Sequence, residues 1–191
     1  MSDTSLFLAR LDECPFRTSY KFYFSMSLVE LGKTKEILNY HEIAVTMLSF
    51  AWNDISNYPD SFTHFDMLPR LKKQAQELCH LDEVDSEEYI RLNLARITDE
   101  TFVMNLNRLL DYIPCVFLDR KELSSLWKRM THNEKMKKIK MYSHSSDYFY
   151  EVTDKAIILH PIFFHSVGDC DNTLAEIKER ITKYLSRGDE E

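Results

Sequence analysis

Lys135, Lys137, Lys138 and Lys140 crowd into six residues. With Arg120, Lys121, Lys128 and Arg129 they make eight basic side chains between 120 and 140, against two acids, Glu122 and Glu134. Ammonium and guanidinium groups at that density neutralise phosphates, giving an attraction to nucleic acid that weakens with salt and reads little sequence. The same density also suits a solvated helix face, or one that meets an acidic partner.

Other chemistry-bearing types are less well spaced. His160, His165, Asp169 and Cys170 are all metal-ligating types, and four residues separate the two histidines. No cysteine pair accompanies them, and Pro161-Ile162-Phe163-Phe164 between them reads as core, so no metal is expected. His41-Glu42 lacks the second histidine of a zinc-protease helix and reads as helix-start chemistry. Ser143-His144-Ser145-Ser146-Asp147 holds the types of a hydrolase triad, but no glycine is near to build the strained turn such a serine occupies. Asp119-Arg120-Lys121 and Glu176-Ile177-Lys178 are acid-x-lysine triplets without the partner acid that a metal-dependent nuclease needs. The reading is therefore a protein that is not an enzyme, with no catalytic residue, no cofactor and no small-molecule substrate.

Composition narrows the scaffold. Of 191 residues, 44% are hydrophobic and 29% charged, enough apolar material for one or two cores. Only three glycines occur, Gly32, Gly168 and Gly188, too few for an all-β sandwich or a glycine-rich nucleotide loop. A net charge of −7 means that the molecule as a whole does not attract nucleic acid or anionic membrane, so any such contact must be local. Cys14, Cys79, Cys115 and Cys170 are scattered, which fits reduced, mostly buried thiols, and with no signal-type N-terminus or membrane-length apolar run a cytoplasmic location is expected.

The positioning elements follow from periodicity and caps. Residues 5–11 read as a short helix. A second runs from Thr18-Ser19 to Gly32 with Tyr20, Tyr23, Phe24, Leu28 and Leu31 as its stripe. Glu36-Ile37-Leu38 can form a short strand. Asn39…Glu42 is a capping box for a helix through Trp52. Pro69 suits the first turn of a helix with Leu71, Ala75 and Leu78 as its core face. Five of the seven residues 82–88 are acidic, which reads as an exposed linker. Thr98-Asp99 opens a helix through Phe102, Leu106, Leu109 and Ile113. Two further capping boxes, Asp119…Glu122 and Thr131…Glu134, start helices before and within the lysine run. The period then changes to two: 148–153 and 156–159 make a hairpin turning at Asp154-Lys155. Asn172 caps a last helix with Leu174, Ile177, Ile181 and Leu185 on its buried face.

This predicts a mostly α protein with a C-terminal β-hairpin, winged-helix-like, and either single or tandem if the first half is a degraded copy. The expected division is 1–81 as an N-terminal helical unit, 82–97 as an acidic linker or helix, and 98–191 as a winged-helix-like unit. In that arrangement Lys135, Lys137, Lys138 and Lys140, with Lys128 and Arg129, form the expected DNA-binding face. Twelve Phe, ten Tyr and two Trp are expected mostly in the core, with Tyr20, Tyr23, Trp52, Tyr148 and Tyr150 as candidates for a partner surface.

Ser19-Tyr20-Lys21-Phe22-Tyr23, followed by Met47 and Ala51-Trp52, resembles the N-terminal helical region of bacterial HNH endonucleases, as do 113–117 and 157–163. The chain ends where their nuclease domain would start, and His132-Asn133 alone is no such site, so the resemblance does not imply catalysis. In size, acidity and element order the chain also resembles the small middle subunits of bacterial anti-phage systems built on an SMC-like ATPase, such as Lamassu, and it is similar in outline to the tandem winged-helix subunits of condensins. That resemblance implies a non-catalytic assembly subunit that docks on an SMC-like ATPase, helps to sense DNA and holds an effector nuclease. The alternatives are a stand-alone winged-helix regulator and an enzyme with an unrecognised site.

Overall fold

Local capping chemistry sets where the helices begin. Asn39 accepts from the His41 N–H while Glu42 reaches back to the Asn39 N–H, and Thr131 and Glu134 form the same reciprocal box. Ser86 and Asp99 accept from the amides of Tyr89 and Phe102, satisfying donors that the first helical turn leaves free.

The computed structural model describes residues 4–14, 19–62, 66–82, 85–111 and 130–186. Its helices are α1 (Thr4–Glu13), α2 (Tyr20–Gly32), α3 (Tyr40–Asn57), α4 (Met67–Cys79), α5 (Glu87–Leu94), α6 (Glu100–Asn107), α7 (His132–Ser143), α8 (Pro161–Val167) and α9 (Cys170–Leu185). Short 3₁₀ turns cover Pro59–Ser61 and Arg108–Leu110. Three strands, β1 (Ile37–Asn39), β2 (Tyr150–Val152) and β3 (Ala156–Leu159), form one antiparallel sheet in the order β1-β3-β2. The fold is thus mostly helical with a small sheet.

The hairpin lies where alternation placed it, with Thr153 closing the turn by accepting at its hydroxyl from the Lys155 and Ala156 amides. Its third strand comes from far earlier in the chain: Ile37 pairs with Ile158, Leu38 with Ile157 and Asn39 with Ala156. Leu38, Tyr150, Val152, Ile157 and Leu159 point to one buried face. The sheet packs under α2, whose last residue, Gly32, lets it approach closely. A Cβ on Gly32 would sit 3.0 Å from both Leu159 Cδ1 and Phe163 Cε1.

Helix α2 is buried on nearly every side from Lys21 to Val29. The expected one-sided stripe fails here because α3, α9, α1 and β1 all pack around it. Lys21 is tolerated in this setting because its ammonium donates to the carbonyls of Leu11 and Cys14, at 3.4 and 3.3 Å, and lies over the Phe22 ring. Phe7 on α1 meets Phe149 and Phe163 at 5.3 and 5.5 Å between ring centres.

The sequence divisions at 81/82 and 97/98 do not coincide with a division of this core. Residues from both halves share one sheet and one continuous apolar cluster. Lys33 and Arg180 tie α2 to Asp171 and α9 to Asp12 across the same boundary. The acidic stretch enters a packed helix: Ile90 and Leu94 of α5 are wholly buried against α3. An i, i+4 apolar pair outweighs the surrounding charge, which stays on the outer side. Leu78, expected on the core face of α4, is exposed, while Leu71 and Ala75 are buried. The last helix begins two residues before Asn172, because Asp169 caps it by accepting from Asp171 and Asn172. Pro161–Val167, expected only as core, is a helix that buries Phe163 and Val167.

Candidate nucleic-acid interface

Helix α7 leads into the hairpin and carries the lysines. It is anchored by Ile139, which is buried, and by Ser143, which is wholly buried. The Ser143 hydroxyl donates to the Lys140 carbonyl at 3.0 Å and accepts from the Val152 N–H at 2.9 Å. That second bond satisfies an outward-facing amide of β2 and fixes the helix end to the strand. Tyr40 of α3 donates to the Thr153 carbonyl at 2.6 Å, so the hairpin turn is held from the opposite side as well. Burial together with the nearby Asp154 charge raises the Tyr40 phenol to about 12, keeping it a donor.

The basic side chains fall into two groups. Lys137 is exposed and Lys138 partly so, both open to solvent. Lys140 turns to the hairpin and pairs with Asp154, holding that carboxyl below the usual range through a hydrogen bond and its charge. His144 contacts Glu151 at 2.8 Å in the same direction. Across 130–155 there are five lysines and four carboxylates, so the hairpin offsets most of the charge that α7 contributes. The Lys135 side chain, and Lys128 and Arg129 entirely, lie outside what the structure describes, as does the Asp119…Glu122 capping box.

The five aromatic candidates for a partner surface are largely structural. Tyr23, Trp52 and Tyr150 are wholly buried. Tyr23 donates to Asp54 at 2.9 Å, Trp52 donates to the Asp82 carbonyl at 3.3 Å, and Tyr150 meets Phe24 edge-on at 5.9 Å. Tyr20 and Tyr148 are half-buried, the first accepting from the Met67 N–H at 2.7 Å and the second bonding His160 through its carbonyl at 3.0 Å. Helical spacing could not separate core from surface here, because α2 and α3 are enclosed by elements distant in sequence.

Among the described residues the large apolar side chains that do reach solvent are others: Leu6 on α1, Ile37 on β1, Leu78 on α4, Tyr89 and Leu92 on α5, Met104 on α6, Met141 on α7 and Phe164 on α8. The signal for the α5 pair was present in the sequence, since Tyr89 and Leu92 fall on the face opposite Ile90 and Leu94.

The residues considered for metal or hydrolytic chemistry hold other posts. His165 bonds the Pro161 carbonyl at 2.9 Å and Asp169 caps α9. Among the described residues no three His, Cys, Asp or Glu side chains gather as a metal site. Cys14 is buried, and Cys79 and Cys170 are half-buried free thiols whose pKa burial pushes up, which disfavours the reactive thiolate. No described helix is long and apolar enough to cross a membrane. No protein-family model, curated protein or solved structure matches this chain.

Proposed function

We propose that this chain is a non-catalytic accessory subunit of a bacterial DNA-directed defence complex, bridging an SMC-like ATPase, DNA and an effector nuclease. In this reading α7 and the hairpin act as a winged-helix-like unit that contacts duplex phosphates, while other faces bind protein. The observation that carries it is the succession of a lysine-bearing helix, an antiparallel hairpin and a third strand supplied from between α2 and α3, in the sheet order β1-β3-β2. A winged helix likewise has a helix leading into a hairpin that pairs with an earlier strand, although here α3 to α6 stand between β1 and α7. A recognition helix of that kind lies in a DNA groove. Lys137 and Lys138 are the described lysines on this helix whose heads are open to phosphate.

The test is binding to a random-sequence duplex, followed by fluorescence anisotropy over a salt series, with Lys137→Glu/Lys138→Glu as the variant. Two lost phosphate contacts should lower the salt slope by about 2 and weaken binding alike for all sequences. An unchanged slope would remove α7 from the interface. Affinity purification with nuclease treatment supplies the second arm. An ATPase or nuclease retained after DNA is destroyed supports the assembly role, whereas DNA alone, lost on raising the salt, supports a stand-alone regulator.

A further inference from the structure

We infer that Asp154, at the hairpin turn, is a built-in competitor for phosphate that holds back a further phosphate position at Lys140 and Lys155. It rests on the reading of α7 and the hairpin as a duplex-contacting unit, and names how that surface is regulated.

Helical spacing puts Lys137, Lys140 and the capping residue His144 on one stripe of α7, at i, i+3 and i+7. Lys137, at one end of the stripe, is open to solvent. The other two are taken by carboxylates of the hairpin: Lys140 by Asp154, and His144 by Glu151 at 2.8 Å. The Lys155 charge also acts on Asp154 from the next position in the turn. The carboxylate thus lies in the field of two ammonium groups, and a phosphate oxygen would be drawn to the same place.

Isolated surface ion pairs are weak because two long side chains must be ordered to make them. Here the backbone under the pair is fixed in advance. The Ser143 hydroxyl joins the Lys140 carbonyl to the Val152 N–H, at 3.0 and 2.9 Å. The turn beyond Val152 is closed by the Thr153 hydroxyl and held from α3 by Tyr40. The fold therefore presents Asp154 to Lys140, yet the Asp154 side chain stays 86% exposed. That exposure leaves the pair open to competition from a duplex phosphate arriving through solvent. While Asp154 keeps Lys140, this ammonium makes no phosphate contact, and the carboxylate repels any phosphate that approaches. Removing the carboxylate adds one contact. At a salt slope of about 0.9 per phosphate, one contact is worth about eightfold in affinity between roughly 1 M and 0.1 M salt.

The experiment compares the full chain with Asp154→Asn on a random-sequence duplex, by fluorescence anisotropy over a salt series. Asparagine suits the same turn position, and circular dichroism should show the fold kept. Asp154→Asn should bind about eightfold tighter at about 0.1 M salt, with a slope steeper by about 0.9. Lys140→Gln should leave the wild-type slope unchanged, and should remove the whole gain when added to Asp154→Asn. Asp147→Asn, which removes an exposed carboxylate from the loop before the hairpin, should leave the slope unchanged. An Asp154→Asn chain with unaltered affinity and slope would overturn the inference. So would an equal gain from Asp147→Asn, which reduces the effect to net charge. A wild-type slope that already falls with Lys140→Gln would overturn it too, by showing this lysine free. In each of these cases, duplex binding that depends on Lys137 and Lys138 leaves the reading of α7 standing. No duplex binding by the wild type or by Asp154→Asn would overturn both.

Discussion

Replacing Tyr23 with phenylalanine removes one oxygen from the centre of the molecule and leaves a carboxylate without its donor. Tyr23 is wholly buried, and its hydroxyl donates to Asp54 at 2.9 Å. Burial raises the Asp54 pKa above the ordinary 3.8, while the Tyr23 hydrogen bond and the Lys178 charge pull it back. The folded chain thus holds this proton more tightly than the unfolded chain. The contribution of Asp54 to stability is present below the unfolded pKa and is lost as pH rises through the folded pKa. Removing the hydroxyl takes away a downward pull, so the folded pKa climbs further. A hydrogen bond to a charged group contributes about 1.5–3 kcal/mol, and the half-buried position of Asp54 puts Tyr23→Phe near the lower end at pH 7. For a chain of this size that is a fall in Tm of roughly 3–8 °C. Below about pH 4 the carboxyl is protonated and the penalty shrinks to that of a neutral hydrogen bond, about 1 kcal/mol. Urea unfolding of both proteins across this pH range measures the difference. A penalty that stays constant with pH, or grows on acidification, would refute the assignment of Tyr23 as the donor that keeps Asp54 ionised.

Ser143→Ala should cost about 1–3 kcal/mol in urea unfolding, because it leaves the buried Val152 N–H without an acceptor, and it should speed amide exchange at Val152. A loss below about 0.5 kcal/mol would show that α7 does not depend on this bond to hold the hairpin. Ile90→Ala should cost about 2–4 kcal/mol through a cavity against α3. A near-neutral result would return residues 82–97 to the status of a linker. The charge reversal of Lys137 and Lys138 completes the set, with a random-sequence duplex as its probe.

Several helix starts were legible because their signal is carried by neighbours in sequence, although Asp169 caps the last helix, three residues before the expected Asn172. The boxes at Asn39 and Thr131, the cap at Asp99 and the hairpin turn at Thr153–Lys155 each involve groups within three residues of one another, so the amino-acid order determines them. Sequence reading failed where a residue's role depends on what covers it. Tyr23, Trp52 and Tyr150 look like amphipathic aromatics until α3, the loop at Asp82 and α2 meet them. The candidate phosphate-facing set was likewise only half readable, since the pairing of Lys140 with Asp154 needs the hairpin folded back on α7.

The sequence by itself determined that this chain is mostly helical, that its helices begin at particular caps, and that a hairpin follows a lysine-rich helix, because those properties come from hydrogen bonds and periodicities spanning a few residues. Only the tertiary structure decided that Ile37–Asn39 joins that hairpin, that both halves share one core, and which aromatic and charged side chains remain outside it. Burial and strand pairing are properties of surfaces brought together from distant parts of the chain, and no local window contains both partners.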